Sequence, residues 1–107
     1  MALHHLRAAG LQLVTRNYRC HRGELDLVMR QGPLLVFVEV RQRASDRFGE
    51  AAETVDWRKR TRLLATAAHY LQSHPAATRS PCRFDVVSVN GPPSDAQLRW
   101  IANAFVG

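Results

Sequence analysis

The sequence predicts an α/β domain whose elements follow in the order helix, three strands, helix, strand and a short C-terminal strand or helix. Apolar residues alternate at positions 24–30, 35–41 and 83–89, which is typical of strands, whereas they recur with helical spacing at positions 56–74. A chain of 107 residues can build one modest hydrophobic core, so we expect a single domain over residues 1–107.

The N-terminal part of the chain predicts one helix and two strands. Residues 2–9 favour a short helix that ends at Gly10, and residues 11–20 show the apolar alternation of a strand. A turn at Gly23 leads into the second strand, residues 24–30. In that strand the positions Leu25, Leu27 and Met29 alternate with Glu24, Asp26 and Val28.

Gly32 and Pro33 separate the second strand from a β-rich run at residues 35–41, so the two strands form a predicted antiparallel hairpin. A tight turn at these two residues, with Gly32 at positive φ, fixes the register. Counted outward from the turn, the predicted pairs are Gln31 with Leu34, Val28 with Phe37, Asp26 with Glu39, and Glu24 with Arg41.

This register gathers the acids Glu24, Asp26 and Glu39 on one face of the sheet, beside the guanidinium of Arg41. Opposed carboxylates repel each other, and burial raises their pKa values, so they need a cation, a proton or a metal. Arg41 faces Glu24, which leaves the other two acids uncompensated. Mg²⁺ or Mn²⁺ suits that pair, because these ions take carboxylate oxygens, a backbone carbonyl and waters.

A simpler alternative is that the acids form exposed ion pairs with Arg22, Arg41 or Arg43 on a solvated face. Two opposed acids with apolar residues on both sides favour a functional site over that alternative.

The long helix is predicted over residues 56–74, with Asp56 as its N-cap and Pro75 as the residue that ends it. Its predicted apolar stripe consists of Trp57, Thr61, Leu64, Ala68 and Leu71. The positive end of the helix dipole disfavours cations by about 0.3–1 kcal/mol each. The first two turns nevertheless carry Arg58, Lys59, Arg60 and Arg62. An anionic ligand would relieve this mismatch, and a solvated charged face is the alternative.

Two further segments complete the chain. In the connector 44–55 we expect Arg47 and Gly49 to fold over a bound phosphate backbone. The strand at 83–89 contains Asp85, for which an edge salt bridge with Arg83 or Arg99 is preferred over membership of the acidic cluster. The tail predicts a last strand, through Leu98 and Trp100, that closes as a helical turn at 102–105.

The net charge of the chain indicates which class of partner it is expected to bind. The chain has 15 Lys and Arg against 9 Asp and Glu, a net charge of +6 and a pI near 10.6, which favours nucleic acid over an anionic membrane surface. No segment resembles a secretory signal or a membrane span, so we expect a cytoplasmic protein. Cys20 and Cys82 form neither a zinc-site pattern nor a disulfide framework.

A succession of short motifs resembles the YraN family of bacterial proteins over nearly the whole chain. The motifs are RN-Y-R, GELDLV, VFVEVR, FGEAA, a V-x-x-x-K step at Val55 to Lys59, RFDVV and W-I-x-N-A-F. That family is similar to Holliday junction resolvases and restriction endonucleases. The resemblance implies a central mixed sheet flanked by helices and a metal-dependent nuclease motif, PD-(D/E)xK.

Carried over by position, Asp26 is the aspartate of that motif and Glu39 its second acid, while the carbonyl of Val40 also binds the metal. Arg41 stands where the motif has lysine, and its guanidinium cannot take up a proton. Glu24 is expected to position Arg41 or a second metal. Similar proteins begin with a longer helix that bears a Gly and a Glu, so the resemblance implies that this chain lacks the helix acid.

The predicted function is therefore Mg²⁺-dependent or Mn²⁺-dependent phosphodiester hydrolysis of DNA, with catalytic residues Asp26, Glu39, Arg41 and Glu24. The predicted phosphate contacts are Arg43, Arg47, Arg58, Lys59 and Arg62. A preference for branched or junction DNA and a homodimer are implied by the resemblance alone. The alternatives are a nucleic-acid-binding module without catalysis and a domain that binds an acidic protein.

Overall fold

A five-stranded mixed sheet forms the centre of the protein in the computed structural model, which describes residues 1–43 and 57–105. The elements are α1 (Ala2–Ala8), β1 (Gln12–Cys20), β2 (Gly23–Gln31), β3 (Leu34–Arg43), α2 (Trp57–Ser73), β4 (Cys82–Asn90) and β5 (Gln97–Phe105). The predicted α/β class and the predicted order of elements are confirmed, and the architecture is consistent with a restriction-endonuclease-like fold.

The strands lie in the order β1-β2-β3-β4-β5. Neighbouring strands are antiparallel except for β3 and β4, which run parallel from Leu35 beside Cys82 to Arg43 beside Asn90. A parallel pair needs a long crossover connection, and α2 lies within it. The carboxyl ends of β3 and β4 therefore meet at one edge of the sheet, which is where open α/β sheets commonly bind ligands.

Both faces of the sheet are covered, so the first half of β3, Leu34 to Val38, is apolar at every position. Leu35 and Phe37 belong to the core beneath α2, whereas Val36 and Val38 belong to the core beneath α1. Continuing this alternation places Glu39 on the α2 side of the sheet. No helix in the described part of the chain is long and apolar enough to cross a membrane.

The buried face of α2 differs from the predicted stripe. The helix buries Leu63, Thr66, Ala67 and Tyr70. Of the predicted stripe, Trp57 is 70% exposed, and only Leu64 and Leu71 reach the edge of the core. The prediction was wrong by about one residue, or about 100° around the axis, because small and apolar residues occupy both candidate stripes.

The orientation of α2 is set by aromatic packing on the sheet. The ring of Tyr70 lies 5.9 Å from that of Phe37 and 5.2 Å from that of Tyr18, measured between centroids. Residues 59, 63, 66 and 70 follow one another at helical spacing, so this orientation turns Lys59 in the first turn of α2 toward the sheet.

The C-terminal tail is a strand throughout, so the helical turn predicted at 102–105 is wrong. The register of β4 against β5 shifts between Phe84 and Val86, and Asn103 has a left-handed φ of 53°. The carboxylate of Asp85 accepts the backbone N–H of Asn103 at 2.9 Å, which satisfies a donor that the irregular ladder leaves without a strand partner.

Asp85 does pair with Arg83, but the pair lies in the interior rather than at an edge. Asp85 is 1% exposed, and its two carboxylate oxygens accept from Nε and Nη2 of Arg83 at 2.8 and 2.9 Å. Nε1 of Trp100 donates to it as well, at 2.8 Å. Asp85 is therefore held by a complete set of donors and is not part of the acidic cluster.

Candidate functional site

A polar cleft of about 220 Å³ opens between α2 and the neighbouring ends of β2 and β3. Its lining residues are Gly23, Glu24, Asp26, Glu39, Lys59, Arg62, Leu63 and Thr66. The cleft therefore brings together the three acids predicted from the hairpin and two of the cations predicted to contact phosphate.

The cleft exists because β2 and β3 separate. Their ladder runs from Gln31 beside Leu34 to Leu27 beside Val38, in the predicted register. One step beyond it, Oδ2 of Asp26 accepts the backbone N–H of Val40 at 2.8 Å. The carboxylate of Asp26 thus accepts a hydrogen bond that a backbone carbonyl of the neighbouring strand would otherwise accept. On its other edge, β2 continues to pair with β1 as far as Gly23.

The alternation of β2 is interrupted at Asp26. Leu25 shares the core beneath α2 with Val28, whereas Leu27 and Met29 pack in the core beneath α1. The prediction that Leu25, Leu27 and Met29 share one face is therefore wrong. The neighbouring strand β1 is also irregular at this level, because Asn17 has a left-handed φ of 56°.

As a result, Asp26 lies between two clefts. It lines the cleft beneath α2, and it also lines a second cleft of about 400 Å³ with Arg16, Asn17, Leu27, Val40 and Gln42. A carboxylate in this position is accessible from both sides of the separated strands.

Glu39 is the more buried of the acids that form ion pairs in the cleft. Its side chain is 12% exposed, and Nζ of Lys59 lies 3.1 Å from its Oε1. Burial raises the pKa of Glu39, and the negative charge of Asp26 raises it further, against the opposing effects of Lys59 and Arg41. The net direction is upward, so the two cations do not fully offset burial and the charge of Asp26.

Glu24 does not pair with Arg41 as predicted. Its Oε1 lies 3.5 Å from Nε of Arg19, and the side chains are 38% and 74% exposed, which makes a weak surface ion pair. The cause is again the separation of the strands, because β2 beyond Leu27 follows β1 and brings Glu24 opposite Arg19. The structure therefore gives Glu24 no role in positioning Arg41.

Arg41 lies on β3 beside Ser88 of β4 and is half-buried. Its charge is close enough to Glu39 to lower the pKa of that carboxyl. Its Nη1 is buried, and no residue in the described ranges accepts a hydrogen bond from it. A buried guanidinium nitrogen without an acceptor is costly, so an additional anionic or polar partner would stabilise this position.

The predicted phosphate contacts separate into three groups. Arg62 lines the cleft, and Lys59 lines it as the ion-pair partner of Glu39. Arg58 is exposed, with its guanidinium 5.6 Å from the ring centroid of Trp57. Arg47 and the side chain of Arg43 lie outside the described residues, as do the predicted positions Gly49, Val55 and Asp56.

Gly23 and Thr66 contribute to the cleft in a way that the sequence did not reveal. Oγ1 of Thr66 donates to the carbonyl of Arg62 at 2.7 Å, and a Cβ added to Gly23 would lie 3.0 Å from that oxygen. Gly23 also has a φ of 149°, which residues with a side chain rarely adopt. Glycine here permits the close approach of α2 to the start of β2, and the sequence indicated only a turn.

The donor set fits a hard divalent cation. Asp26 and Glu39 provide two carboxylates in one cleft, and Mg²⁺ commonly binds one or two carboxylates and keeps several waters. Within residues 1–43 and 57–105, no group of three or more His, Cys, Asp or Glu side chains is arranged to hold a metal. The remaining ligands would therefore be water and backbone oxygens, and the carbonyl of Val40 stays a predicted ligand.

Replacing Glu39 with Gln is expected to stabilise the metal-free protein at neutral pH, although it removes the ion pair with Lys59. The native pKa of Glu39 is raised, so the ionised carboxyl destabilises the native state as pH rises through that pKa. Urea unfolding of wild type and variant should show the difference near neutral pH and its loss well below pH 4.5, the ordinary pKa of the group. Glu24→Gln, which removes only a weak ion pair with Arg19, serves as the control, and a destabilised Glu39→Gln at neutral pH would contradict the assignment.

Comparison with known sequences identifies relatives over most of the chain. The family described as "Uncharacterised protein family UPF0102" matches residues 1–89. A UPF0102 protein of Xanthomonas euvesicatoria pv. vesicatoria is 55% identical over 100 residues, which cover 94% of this chain and 80% of the relative. A UPF0102 protein of Stutzerimonas stutzeri is 49% identical over 105 residues, covering 98% and 88%. The counterpart from Nitrosococcus oceani is 45% identical over 105 residues, covering 98% and 85%.

Proposed function

We propose that this chain, which belongs to the uncharacterised protein family UPF0102, catalyses metal-dependent hydrolysis of phosphodiester bonds in DNA. This is the function that its cleft supports best. Membership of the family agrees with the resemblance to YraN proteins drawn from the motifs. The family name states no activity, so the proposal depends on the geometry and charge of the site.

The observation that carries the proposal is the shared cleft of Asp26 and Glu39. These carboxylates approach from two strands that separate at this point, and burial with the charge of Asp26 raises the pKa of Glu39 in spite of the cations nearby. They would hold one divalent cation with the carbonyl of Val40 and water. A cation bound there supplies Lewis-acid polarisation of the phosphate and makes water more acidic.

Arg62 in the cleft, and Arg41 beside Glu39, would bind and orient the substrate. Arg62 lies at the cleft wall on α2, where a phosphate group would contact its guanidinium. Arg41 keeps its proton, so it would stabilise negative charge that develops on the phosphate and would not act as a base. Its buried Nη1, without an acceptor among the described residues, is a donor that such a phosphate oxygen would satisfy.

Two arguments favour DNA as the substrate: the net charge of the chain and the family resemblance. The net charge of +6 favours a polyanion, and contacts to phosphate oxygens carry most of the affinity of such a protein. The resemblance to Holliday junction resolvases adds branched DNA as the preferred form and a homodimer as the active assembly.

A panel of branched, duplex and single-stranded DNA tests this function directly. Purified protein should cleave at least one of these substrates in Mg²⁺ or Mn²⁺ and none of them in excess EDTA. Branched DNA is expected to be cleaved fastest. Failure to cleave any of the three in either metal would contradict the proposal.

The phosphate contact of Arg62 gives a prediction for binding alone. In EDTA, DNA affinity should fall steeply as salt rises, and Arg62→Ala should reduce the slope of the log–log salt dependence by about 1. Fluorescence anisotropy at several salt concentrations measures both quantities. Arg79→Ala is the matched control, because Arg79 is exposed and does not line the cleft. Equal slopes for wild type and Arg62→Ala would remove Arg62 from the interface.

A second candidate function is a binding module without catalysis. Two observations favour it: Arg41 replaces the lysine of the motif, and Lys59 already forms an ion pair with Glu39. Such a module would bind DNA with the same steep salt dependence, would not cleave it in Mg²⁺ or Mn²⁺, and would keep its affinity in Asp26→Asn.

A further inference from the structure

Lys59 occupies an unusual position for a lysine in the first turn of a helix. Leu63, Thr66, Ala67 and Tyr70 form the buried face of α2, and Lys59 lies four residues before Leu63 on the same face. Its side chain is only 30% exposed, and its ammonium points into the cleft rather than into solvent. A lysine on a buried face normally needs a specific anionic partner.

That partner is Oε1 of Glu39, 3.1 Å from Nζ. The contact places a positive charge on the carboxylate that a divalent cation would also use. An ammonium and a divalent cation repel each other strongly when they share a partly buried carboxylate, because little water lies between them to screen the charges. The ammonium and the divalent cation therefore cannot both bind closely to the carboxylate of Glu39 without weakening each other's binding.

We propose that Lys59 is a built-in competitor for the metal: its ammonium holds Glu39 when no divalent cation is bound and must leave that carboxylate when one binds. The inference rests on the proposed metal site at Asp26 and Glu39. The lysine stem has four carbons and rotates freely enough to move the ammonium within the cleft. Arg62 lines the same cleft, so a phosphate group there would meet both the displaced ammonium and the guanidinium.

This arrangement couples metal binding to DNA binding. Without DNA, the metal must break the ion pair between Lys59 and Glu39 and supplies no new anion for the ammonium, so metal binding is weakened. When DNA is bound, one of its phosphates forms an ion pair with the displaced ammonium of Lys59, so metal binding is strengthened. By linkage, the metal must strengthen DNA binding by the same factor. The protein would thus load its metal mainly in the presence of its substrate.

The test is a Mn²⁺ titration of the metal-free protein, read by calorimetry or by the electron paramagnetic resonance of free Mn²⁺. Lys59→Met should bind Mn²⁺ about 5-fold more tightly than wild type, or more. Lys59→Arg, which keeps the charge, should stay near wild type. Arg62→Met is the matched control: it removes one positive charge from the same cleft, and Arg62 is not among the groups that shift the pKa of Glu39. Its effect should therefore be clearly smaller.

A second arm repeats the titration with a phosphorothioate-substituted duplex that resists cleavage. Wild type should gain Mn²⁺ affinity on adding this duplex, and Lys59→Met should gain much less. Circular dichroism and thermal unfolding show whether each variant is folded, and Lys59→Gln replaces Lys59→Met if the latter fails to fold.

The outcomes separate the competition from the metal site itself. Equal Mn²⁺ affinity in Lys59→Met and wild type, or equal gains in Lys59→Met and Arg62→Met, would overturn the competition while leaving the metal site intact. Unchanged Mn²⁺ affinity in Glu39→Gln would instead overturn the metal site and the proposed function.

Discussion

Asp26→Asn is expected to abolish metal-dependent cleavage of DNA, with a loss of rate on the order of a thousandfold. The amide keeps the size of the carboxylate and an oxygen that can accept the N–H of Val40, so the separation of β2 and β3 should persist. It removes the negative charge that would bind the proposed divalent cation. Initial rates in Mg²⁺ and in Mn²⁺ measure the effect.

Asp95→Asn is the matched control for this loss, because Asp95 is an exposed acid in the short turn between β4 and β5. It should cleave DNA at the wild-type rate. Equal residual cleavage by wild type, Asp26→Asn and Glu39→Gln would mean that the activity comes from a contaminating nuclease.

Asp85→Ala is expected to destabilise the protein by about 3–5 kcal/mol. The substitution leaves Arg83, whose side chain is 22% exposed, without its bidentate partner, and it removes the acceptor for Trp100 and for the backbone of Asn103. A domain of this size has roughly 5–15 kcal/mol of stability in total, so a large fraction would be lost. Chemical denaturation followed by circular dichroism measures the change.

Asp95→Ala provides the comparison for stability as well, with an expected change within about 0.5 kcal/mol. A cost below about 1 kcal/mol for Asp85→Ala would mean that the buried network contributes little. The distinction matters for the site, because Asp85 is an acid on the strand beside β3, opposite Val38, but its carboxylate joins β4 to β5.

The strands of the protein were predictable because their patterns are local. Period-2 alternation identified β2, β3 and β4, and the turn at Gly32 fixed the β2–β3 register as far as Leu27 and Val38. That register was sufficient to place Asp26 and Glu39 near each other. Beyond Leu27, β2 stays paired with β1 and leaves β3, which a count outward from the Gly32 turn does not take into account, and the predicted partner of Glu24 was wrong for that reason.

The role of Lys59 was not predictable from the sequence. The residues of α2 are apolar or small on two adjacent stripes, and the choice between them is made by the packing of Tyr70 against Phe37 and Tyr18. A rotation of the helix by one residue decides whether Lys59 faces solvent or Glu39. The prediction of a helical turn at 102–105 was wrong for a similar reason. This segment is a strand because it pairs with β4, and the local sequence of β5 does not reveal that pairing.

We propose that the carboxylates of Asp26 and Glu39 hold one divalent cation between them. Anomalous diffraction from a crystal soaked in Mn²⁺ would locate that cation. We expect one anomalous peak within about 2–2.5 Å of an oxygen from each carboxylate, with Nζ of Lys59 moved away from Glu39. A crystal that shows Mn²⁺ bound elsewhere, or Lys59 still paired with Glu39 in saturating Mn²⁺ and no peak in the cleft, would contradict it.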